Sequence, residues 1–507
     1  MSAFRSHAAE AGHRHERGLV ASVASLATGR VAIAVLSYAA TAAVARTLSE
    51  SDWGGFTLIF SVATMLGAIF DLQATRLVLD EVLNPDLDAG RTMGSYMTLR
   101  LLLGVGAYAA AIAFVFLGDY SDSVRKAMVV GGVLLLLSPT WNALYVYFQA
   151  HRRLRTVAVV VIVSRVLLLL FTLLFVVCGN RSPLAFMWPW VVAEAFILSV
   201  LLLVAHRHVG VRLAFEPQRW KAWLKETIPI ALGAAIGTMY FRIDAVMLSQ
   251  LDALEAVGLY GIAYKFSDLL GFVPVAVMAP AFAELVRAWP SQPAMFQHNF
   301  RGALILLVIT ALPLVTAFCI FAEPLVVLLY GDRYGSAANA ARLVIVGQGL
   351  RFFTILCTFT LVAVRRNVTY AAASVAGLGV NVALNLFLIP QYSYRGAAFT
   401  TVVTELGVLT ILIGAVRRVP EVGPFPWLVV GRVTVATAAF AGTALLADAV
   451  LWWPVAALLA AGVLVALLHV LGVDGPGGLR TIPRLLEPVR DPQAAPSTEG
   501  PAGVIPT

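Results

Sequence analysis

The stretch GTMYFRIDAVMLSQ, residues 237–250, has the apolar character of a membrane helix and still carries two charged side chains, Arg242 and Asp244. Each charge at the centre of such a helix costs roughly 2.5–3.5 kcal/mol on insertion scales, and charged residues there usually face a bundle interior or a watery cavity. Residues two positions apart lie about 200° apart around a helix and cannot pair with each other. Arg242 is therefore predicted to line a cavity and Asp244 to be held by a cation on a neighbouring helix. The alternative is that both form structural pairs between helices.

The composition of the whole chain supports a helical membrane protein. Of its 507 residues, 60% are hydrophobic and 13% are charged, and the mean hydropathy is +0.85, which excludes an ordinary water-soluble globular domain. One membrane crossing needs about 20 apolar residues. Fourteen such spans are predicted, at residues 19–46, 53–79, 93–118, 126–150, 156–178, 183–206, 226–250, 256–286, 300–330, 336–363, 368–390, 396–416, 427–447 and 451–472.

The distribution of Lys and Arg predicts the orientation of these spans. If the N-terminus is cytoplasmic, 23 of the 36 basic residues fall on cytoplasmic segments and helix ends, 6 fall on external loops, and 7 lie within spans. Cytoplasmic loops of membrane proteins carry such an excess of positive charge. Both termini are therefore predicted to be cytoplasmic. The net charge of +8 follows from this bias and does not indicate a nucleic-acid partner.

A long cytoplasmic connection divides six predicted spans from the remaining eight. Because six is even, a second lobe of six spans would enter the membrane in the same direction as the first. SESDWGGF (49–56) and ALEAVGLY (253–260) each open the second span of a lobe, although a generic turn would explain this match equally well. The predicted parts are a cytoplasmic tail (1–18), a first lobe (19–206), a linker (207–225), a second lobe (226–418), two further spans (427–472) and a disordered cytoplasmic tail (473–507).

Several motifs resemble a known family. IPIALGAAIGTMYFRIDAVMLSQLDALEAVGLYGIAYKFSDLLGFVPVAVMAPAFAEL, residues 228–285, is similar to the signature region of bacterial polysaccharide flippases of the Wzx type. This family belongs to the multidrug/oligosaccharidyl-lipid/polysaccharide exporter superfamily. Stretches that begin at Ala43, Glu323 and Asn381 agree with it, so that the resemblance covers residues 19–418. One departure is Ser393, where family members often carry glycine in an external turn.

The resemblance implies both an architecture and an activity. The expected fold is all-α, with 14 transmembrane helices arranged as two six-helix lobes in a V shape plus two C-terminal helices. The expected activity is translocation of an undecaprenyl-diphosphate-linked oligosaccharide to the outer leaflet by alternating access, for the biosynthesis of a cell-surface polysaccharide such as an O-antigen or exopolysaccharide. Such a protein is a transporter and not an enzyme, and it is expected in the bacterial cytoplasmic (inner) membrane. Its expected partners are the lipid-linked oligosaccharide and the bilayer, with a polysaccharide polymerase and chain-length proteins as further candidates.

The charged residues within or beside the spans supply the candidate sites. In a medium of low dielectric constant a cation stabilises a diphosphate strongly, and the Arg fork can bind two phosphate oxygens at once. The predicted substrate-binding cations are Arg30, Arg242, Lys265 and Arg351, with the lipid tail in a gap between spans 1 and 8. The predicted ion-coupling carboxylates are Asp71, Asp244 and Asp268, and the coupling ion is a proton or sodium. An ion pair between Lys265 and Asp268 within one helix is an open alternative. No cofactor or structural metal is expected.

Two other functions are compatible with parts of the sequence. A multidrug and toxin efflux antiporter has cationic substrates and would favour an acidic cavity, whereas the expected lumen helices here carry Arg and Lys. A membrane enzyme of polysaccharide assembly, such as a polymerase or glycosyltransferase, would need a sizeable external loop. Every predicted external loop has about ten residues or fewer.

Overall fold

A computed structural model describes residues 32–473, except the side chains at positions 229, 230 and 234, and every regular element in that range is helical. The predicted tails (1–18 and 473–507) lie outside the described residues, apart from Val473. The α-helices are α1 (Ala32–Thr47), α2 (Glu50–Ile69), α3 (Thr75–Leu83), α4 (Ala89–Leu117), α5 (Asp122–Gly131), α6 (Leu134–Ala150), α7 (Leu154–Val177), α8 (Pro183–Val209), α9 (Pro217–Leu251), α10 (Leu254–Ala288), α11 (Pro293–Tyr330), α12 (Ala337–Ala363), α13 (Asn367–Val416), α14 (Trp427–Asp448) and α15 (Trp453–Val470).

The helices account for all fourteen predicted spans. Twelve helical segments are long and apolar enough to cross a membrane, and the pair α5 and α6 counts as one of them. The fifty-residue helix α13 contains predicted spans 11 and 12, because the chain bends at Ser393. The described part of predicted span 1 is α1, which has too few described residues to be one of the twelve. The chain is a multi-pass membrane protein.

The predicted second span, 53–79, is wrong in its second half. The helix ends at Ile69, and α3 begins only at Thr75. Gln73 takes a positive φ of 51°, and its backbone N–H donates to the Asp71 carboxylate at 3.2 Å. Asp71 also forms an ion pair with Arg100 of α4. These polar contacts replace the helical hydrogen bonds of a continuous span.

The chain folds into two compact units. Within the described residues, the larger comprises 32–272, 318–354 and 367–412, and the smaller comprises 273–317, 355–366 and 413–473. In the larger unit, α3, α4, α6 and α8 share an apolar core that also receives Trp220 and Trp223 from the start of α9. In the smaller unit, α14 packs along α15, and Phe282 contacts Phe359 with ring centroids 5.1 Å apart.

The linker is shorter than predicted, because α8 continues to Val209 and α9 begins at Pro217. Glu216 precedes α9 and accepts hydrogen bonds from Arg91 at 2.6 Å and from Arg219 at 2.8 Å. Burial alone would raise the pKa of Glu216, but the hydrogen bond from Arg91 and the charge of Arg219 hold that pKa below its ordinary value. Trp223 Nε1 donates to Glu81 of α3 at 2.8 Å. The start of α9 is thereby attached to α3 and α4.

Candidate functional site: a charged cavity and two buried carboxylates

A cavity of about 110 Å³ lies between α2, α9 and α10 in the larger unit. Its wall combines aromatic side chains with two cations and one carboxylate. The lining residues are Trp53, Phe56, Thr57, Phe60, Ser61, Thr64, Phe241, Arg242, Ala245, Tyr260, Gly261, Tyr264, Lys265 and Asp268. The prediction that Arg242 lines a cavity therefore agrees with the structure.

Glycines bring α2 and α10 together beside this cavity. A Cβ atom on Gly54 would lie 1.8 Å from the Leu254 carbonyl oxygen, and one on Gly261 would lie 2.4 Å from Thr57 Cγ2. Real Cβ atoms do not approach other atoms this closely, so only glycine fits at Gly54 unless the backbones separate. Trp53 Nε1 donates to the Gly258 carbonyl at 3.1 Å and fixes the same contact.

The charged part of the cavity wall centres on Arg242. Its Nη2 donates to both carboxylate oxygens of Asp268, at 3.0 and 3.1 Å, and its guanidinium carbon lies 5.6 Å from the centroid of the Tyr264 ring. The Arg242 and Asp268 side chains are 26% and 35% exposed, so that both reach open space in the cavity. Lys265 adds a second cation, and the wall carries one net positive charge from these three side chains.

Asp268 of α10 therefore pairs with Arg242 of α9. The alternative, in which Asp268 pairs with Lys265 of its own helix, is not the arrangement in the structure. The hydroxyl of Tyr38 donates to the backbone carbonyl of Lys265 at 2.9 Å. This bond joins α1 to α10 where the lipid tail was predicted to pass. The gap between predicted spans 1 and 8 is therefore closed at this position in the present conformation.

Asp244 lies beside the cavity and is 1% exposed. Its Oδ2 accepts from Tyr260 at 2.5 Å and from Thr401 at 3.0 Å, and its Oδ1 accepts from Asn385 at 2.7 Å. Contrary to the prediction, no cation pairs with Asp244 in the part of the chain that the structure describes, where all three partners are uncharged. Asn385 also donates to Asn381, one turn earlier on α13, at 3.1 Å. The carboxylate is thus held by two hydroxyl groups and one amide N–H group.

A second buried carboxylate lies on the same helix as Asn385. Glu405 is 2% exposed, and its Oε2 accepts a hydrogen bond of 2.8 Å from Tyr240 of α9. Arg351 of α12 lies over the face of the Phe241 ring, with its guanidinium carbon 3.1 Å from the centroid. Glu405 is not among the site residues predicted from the sequence.

The structure brings some of the predicted site residues together and separates others. Arg242, Lys265 and Asp268 share the cavity wall, and Asp244 lies next to it. Arg351 is not part of the wall, and Asp71 is paired with Arg100 at the end of α2. Arg30 lies outside the described residues. The assigned roles of all seven residues stay predictions.

The sequence indicated Tyr260, Tyr264 and Asn385 as hydrogen-bonding or stacking groups in the lumen, but it indicated neither the aromatic face of α2 nor the contacts of Asp244. Trp53, Phe56 and Phe60 contact one another along α2, with ring centroids 5.0–5.4 Å apart, and their spacing of three and four marks one helix face. The sequence NVALN also places Asn381 and Asn385 one turn apart in an apolar span. Two amides on one face of a membrane helix are a signal of a buried polar site.

Comparison with known proteins establishes the family. A family model described as "Polysaccharide biosynthesis protein" matches residues 19–286, which is more than half of the chain. The chain belongs to this family. It is 24% identical over 267 residues to the "Probable lipid II flippase MurJ" of Rhizobium meliloti (strain 1021), in a match that covers 49% of this chain and 50% of that protein. The match therefore spans about half the length of this curated relative.

Solved structures of transporters have the same fold. The structure titled "Lipid II flippase MurJ, inward closed conformation" is 13% identical, covers 88% of this chain and 98% of its own, and has a TM-score of 0.74. An inward-facing multidrug resistance MATE family transporter is 14% identical, covers 77% and 95%, and has a TM-score of 0.63. At these identities the likeness concerns the fold, which is that of the MurJ and MATE transporters.

Proposed function

We propose that this protein is a flippase that moves an undecaprenyl-diphosphate-linked oligosaccharide from the cytoplasmic to the outer leaflet of the bacterial inner membrane. The observation that carries the proposal is the cavity wall, where Arg242 and Lys265 face open space among aromatic side chains. Cations in a site of low dielectric constant stabilise phosphate, and aromatic rings offer apolar faces for sugars. The polysaccharide biosynthesis family and the fold of a lipid flippase support the same proposal.

The size of the cavity supports an alternating-access mechanism. Sites for drug-sized ligands have volumes of about 300–1,000 Å³, whereas this cavity has about 110 Å³. The head group of a lipid-linked oligosaccharide therefore needs a wider state, in which α1 and α10 or α2 and α10 separate. Breaking the bond between Tyr38 and the Lys265 carbonyl would open a lateral path for the lipid tail.

We further propose that an inward-moving proton or sodium ion drives the reaction and that Asp244 carries it. A buried carboxylate without a cationic partner is costly unless a proton or a bound cation neutralises it. The Asp244 carboxylate and the hydroxyl oxygens of Tyr260 and Thr401, which contact it at 2.5 and 3.0 Å, supply oxygen atoms that suit either ion. With a negative cytoplasm, moving a cation inward releases about 2.3 kcal/mol per charge per 100 mV.

The assay for the proposal is transport in vesicles reconstituted with the purified protein. Fluorescent undecaprenyl-diphosphate oligosaccharide and fluorescent lipid II are tested side by side, because the relatives named above include lipid II flippases. We expect faster delivery of the oligosaccharide lipid. Preference for lipid II would show that the protein is a flippase whose substrate is lipid II and not the proposed oligosaccharide lipid. Transport of a cationic dye with neither lipid moved would establish efflux and overturn the proposal.

Arg242→Ala is expected to lower flipping roughly ten- to hundredfold, because a hydrogen bond to a charged group contributes about 1.5–3 kcal/mol. Arg242→Lys keeps the charge but loses the fork and should retain part of the activity. The measurement is the initial rate of delivery at matched amounts of folded protein. Normal transport by Arg242→Ala would show that Arg242 only pairs with Asp268.

Arg287→Gln is the matched control. Arg287 lies on α10, its side chain is 56% exposed, and it pairs with Glu284 one turn away. It should transport like the wild type. Arg165→Ala is unsuitable as a control, since Arg165 pairs with Glu194 at 2.9 Å and both side chains are buried. Removing Arg165 would leave an uncompensated carboxylate, at a cost of about 3–5 kcal/mol.

A further inference from the structure

Glu405 is a buried carboxyl group with an incomplete set of partners. Its Oε2 accepts from Tyr240, whereas its Oε1 is buried and has no hydrogen-bond partner among the described residues. A fully charged carboxylate in this position would leave one desolvated oxygen without a donor, which is costly. A protonated carboxyl group carries no net charge and can keep the bond from Tyr240. The geometry therefore favours the neutral form of Glu405 in this conformation.

The nearest cation to Glu405 is in a position to respond to its charge. Glu405 is the strongest charged neighbour of Arg351, and the other titratable groups that act on Arg351 are Tyr264, Tyr240 and Asp268. In the described part of the chain, Arg351 forms no ion pair with Glu405 within 4.0 Å. It lies over the Phe241 ring, whose face attracts cations. Besides Arg351, the polar side chains that face Glu405 are Tyr240 and Thr354.

We propose that Glu405 is a proton switch that controls the availability of Arg351 to an anionic substrate. When Glu405 holds its proton, Arg351 remains unpaired with it and can bind a phosphate oxygen of the lipid diphosphate. When the carboxyl group releases its proton to water, the carboxylate attracts Arg351 into an ion pair and withdraws it from the phosphate. The inference rests on the proposed function and adds a second coupling group to it, separate from Asp244.

Arg351 and Glu405 are well placed for such an exchange. Tyr240 and Phe241 are consecutive residues of α9, so that the ring under Arg351 adjoins the residue that donates to Glu405. The proton is the appropriate ion here, because a metal cation would need several oxygen ligands and would have a guanidinium as its neighbour. An ion pair with the carboxylate would require Arg351 to leave the face of the Phe241 ring.

The test measures binding of an undecaprenyl-diphosphate-linked oligosaccharide to the full-length protein in detergent between pH 6 and pH 8.5, a range in which the doubly esterified diphosphate keeps its charge. We expect wild-type affinity to fall at least tenfold as the pH rises. Glu405→Gln cannot ionise and should bind with the same affinity over the whole range, close to the wild-type value at pH 6. Arg351→Gln should bind weakly, also without dependence on pH. Arg287→Gln should follow the wild type.

The outcomes separate this inference from the proposed function. Wild-type binding and flipping that do not change with pH would overturn the inference and leave the flippase intact. A Glu405→Gln protein with the wild-type pH dependence would do the same. If Glu405→Gln fails to fold, the Arg351→Gln protein provides the test. Lipid binding by Arg351→Gln that depends on pH as in the wild type would contradict the proposed switch. Wild-type protein that neither binds nor flips the lipid at any pH would overturn both proposals.

Discussion

At the scale of single residues, Asp244 shows how uncharged groups surround a charge in a membrane helix, since no described residue forms an ion pair with it. Three uncharged donors, Tyr260, Thr401 and Asn385, surround its carboxylate at 2.5–3.0 Å. Hydrogen bonds from hydroxyl and amide groups stabilise the carboxylate only in part, since the net charge remains buried. A coupling ion that binds here would remove that charge, and its release would restore it.

Asp244→Asn should therefore remove the response of flipping to an ion gradient. The amide keeps the shape of the side chain but cannot bind a proton and binds a cation less tightly. The measurement is flipping in vesicles with an imposed proton or sodium gradient, for the wild type and the variant. Asp448→Asn, at the exposed end of α14, is the control and should respond normally. Wild-type flipping that ignores both gradients would contradict ion coupling altogether.

The sequence predicted some of these residue contacts and not others. The spacing of Arg242 and Asp244 correctly excluded a mutual pair, because that argument needs only helix geometry. The partners of Asp244 were not predictable, since Asn385 and Thr401 lie 141 and 157 positions away in the chain. Hydroxyl and amide partners carry no charge signal, and the prediction wrongly favoured a cation.

At the scale of helices, the two repeated motifs acquire a physical reason. SESDWGGF belongs to the start of α2 and ALEAVGLY to the start of α10, and the two helix ends are in contact. Gly54 accommodates the Leu254 carbonyl, while a Cβ on Gly258 would lie 2.9 Å from the Glu50 carbonyl oxygen. In each motif, the absence of a side chain on one glycine thus allows a backbone carbonyl of the other helix to approach closely. Sequence comparison detected the similarity but could not show that the motifs touch.

The bend in α13 gives a prediction about stability. Ser393 has φ 56° and ψ −143°, a conformation that is strained for any residue except glycine, at a cost of about 1–3 kcal/mol. Ser393→Gly is expected to stabilise the protein by about 1 kcal/mol after the greater entropy of the unfolded glycine is included. The measurement is the thermal unfolding midpoint in detergent. The departure from the family pattern at Ser393 therefore has a measurable consequence.

Ser374 supplies the control on the same helix. It has ordinary helical conformation, and its hydroxyl donates to the Tyr370 carbonyl at 3.1 Å. Ser374→Gly should lower the midpoint, because glycine in a helix interior costs about 0.5–1 kcal/mol. Equal destabilisation by both substitutions would show that position 393 adopts a different backbone conformation in the membrane.

At the scale of the whole molecule, sequence and structure agree best on the number of crossings. Hydropathy predicts apolar segments reliably because each must cross the same thickness of hydrocarbon. Breaks within a span are harder to predict from hydropathy. The helix α2, for example, ends at Ile69, and the polar contacts between Asp71 and Gln73 that follow it do not change the hydropathy profile. The V shape of the two lobes and the cytoplasmic location of both termini stay predictions.

The orientation is the last prediction, and it follows from the charge asymmetry of 23 to 6. Reporter fusions after Ser121, Asp252 and Asp332 should report external locations. Fusions after Arg152, Gly210 and Arg365, each at a turn between helices that carries basic residues, should report cytoplasmic locations. Because α13 bends back at Ser393, a fusion there belongs with the external set. A cytoplasmic signal at Asp252 would contradict the predicted orientation, because it would place the end of α9 and the start of α10 on the cytoplasmic side. The contact between the starts of α2 and α10 would then also lie on that side.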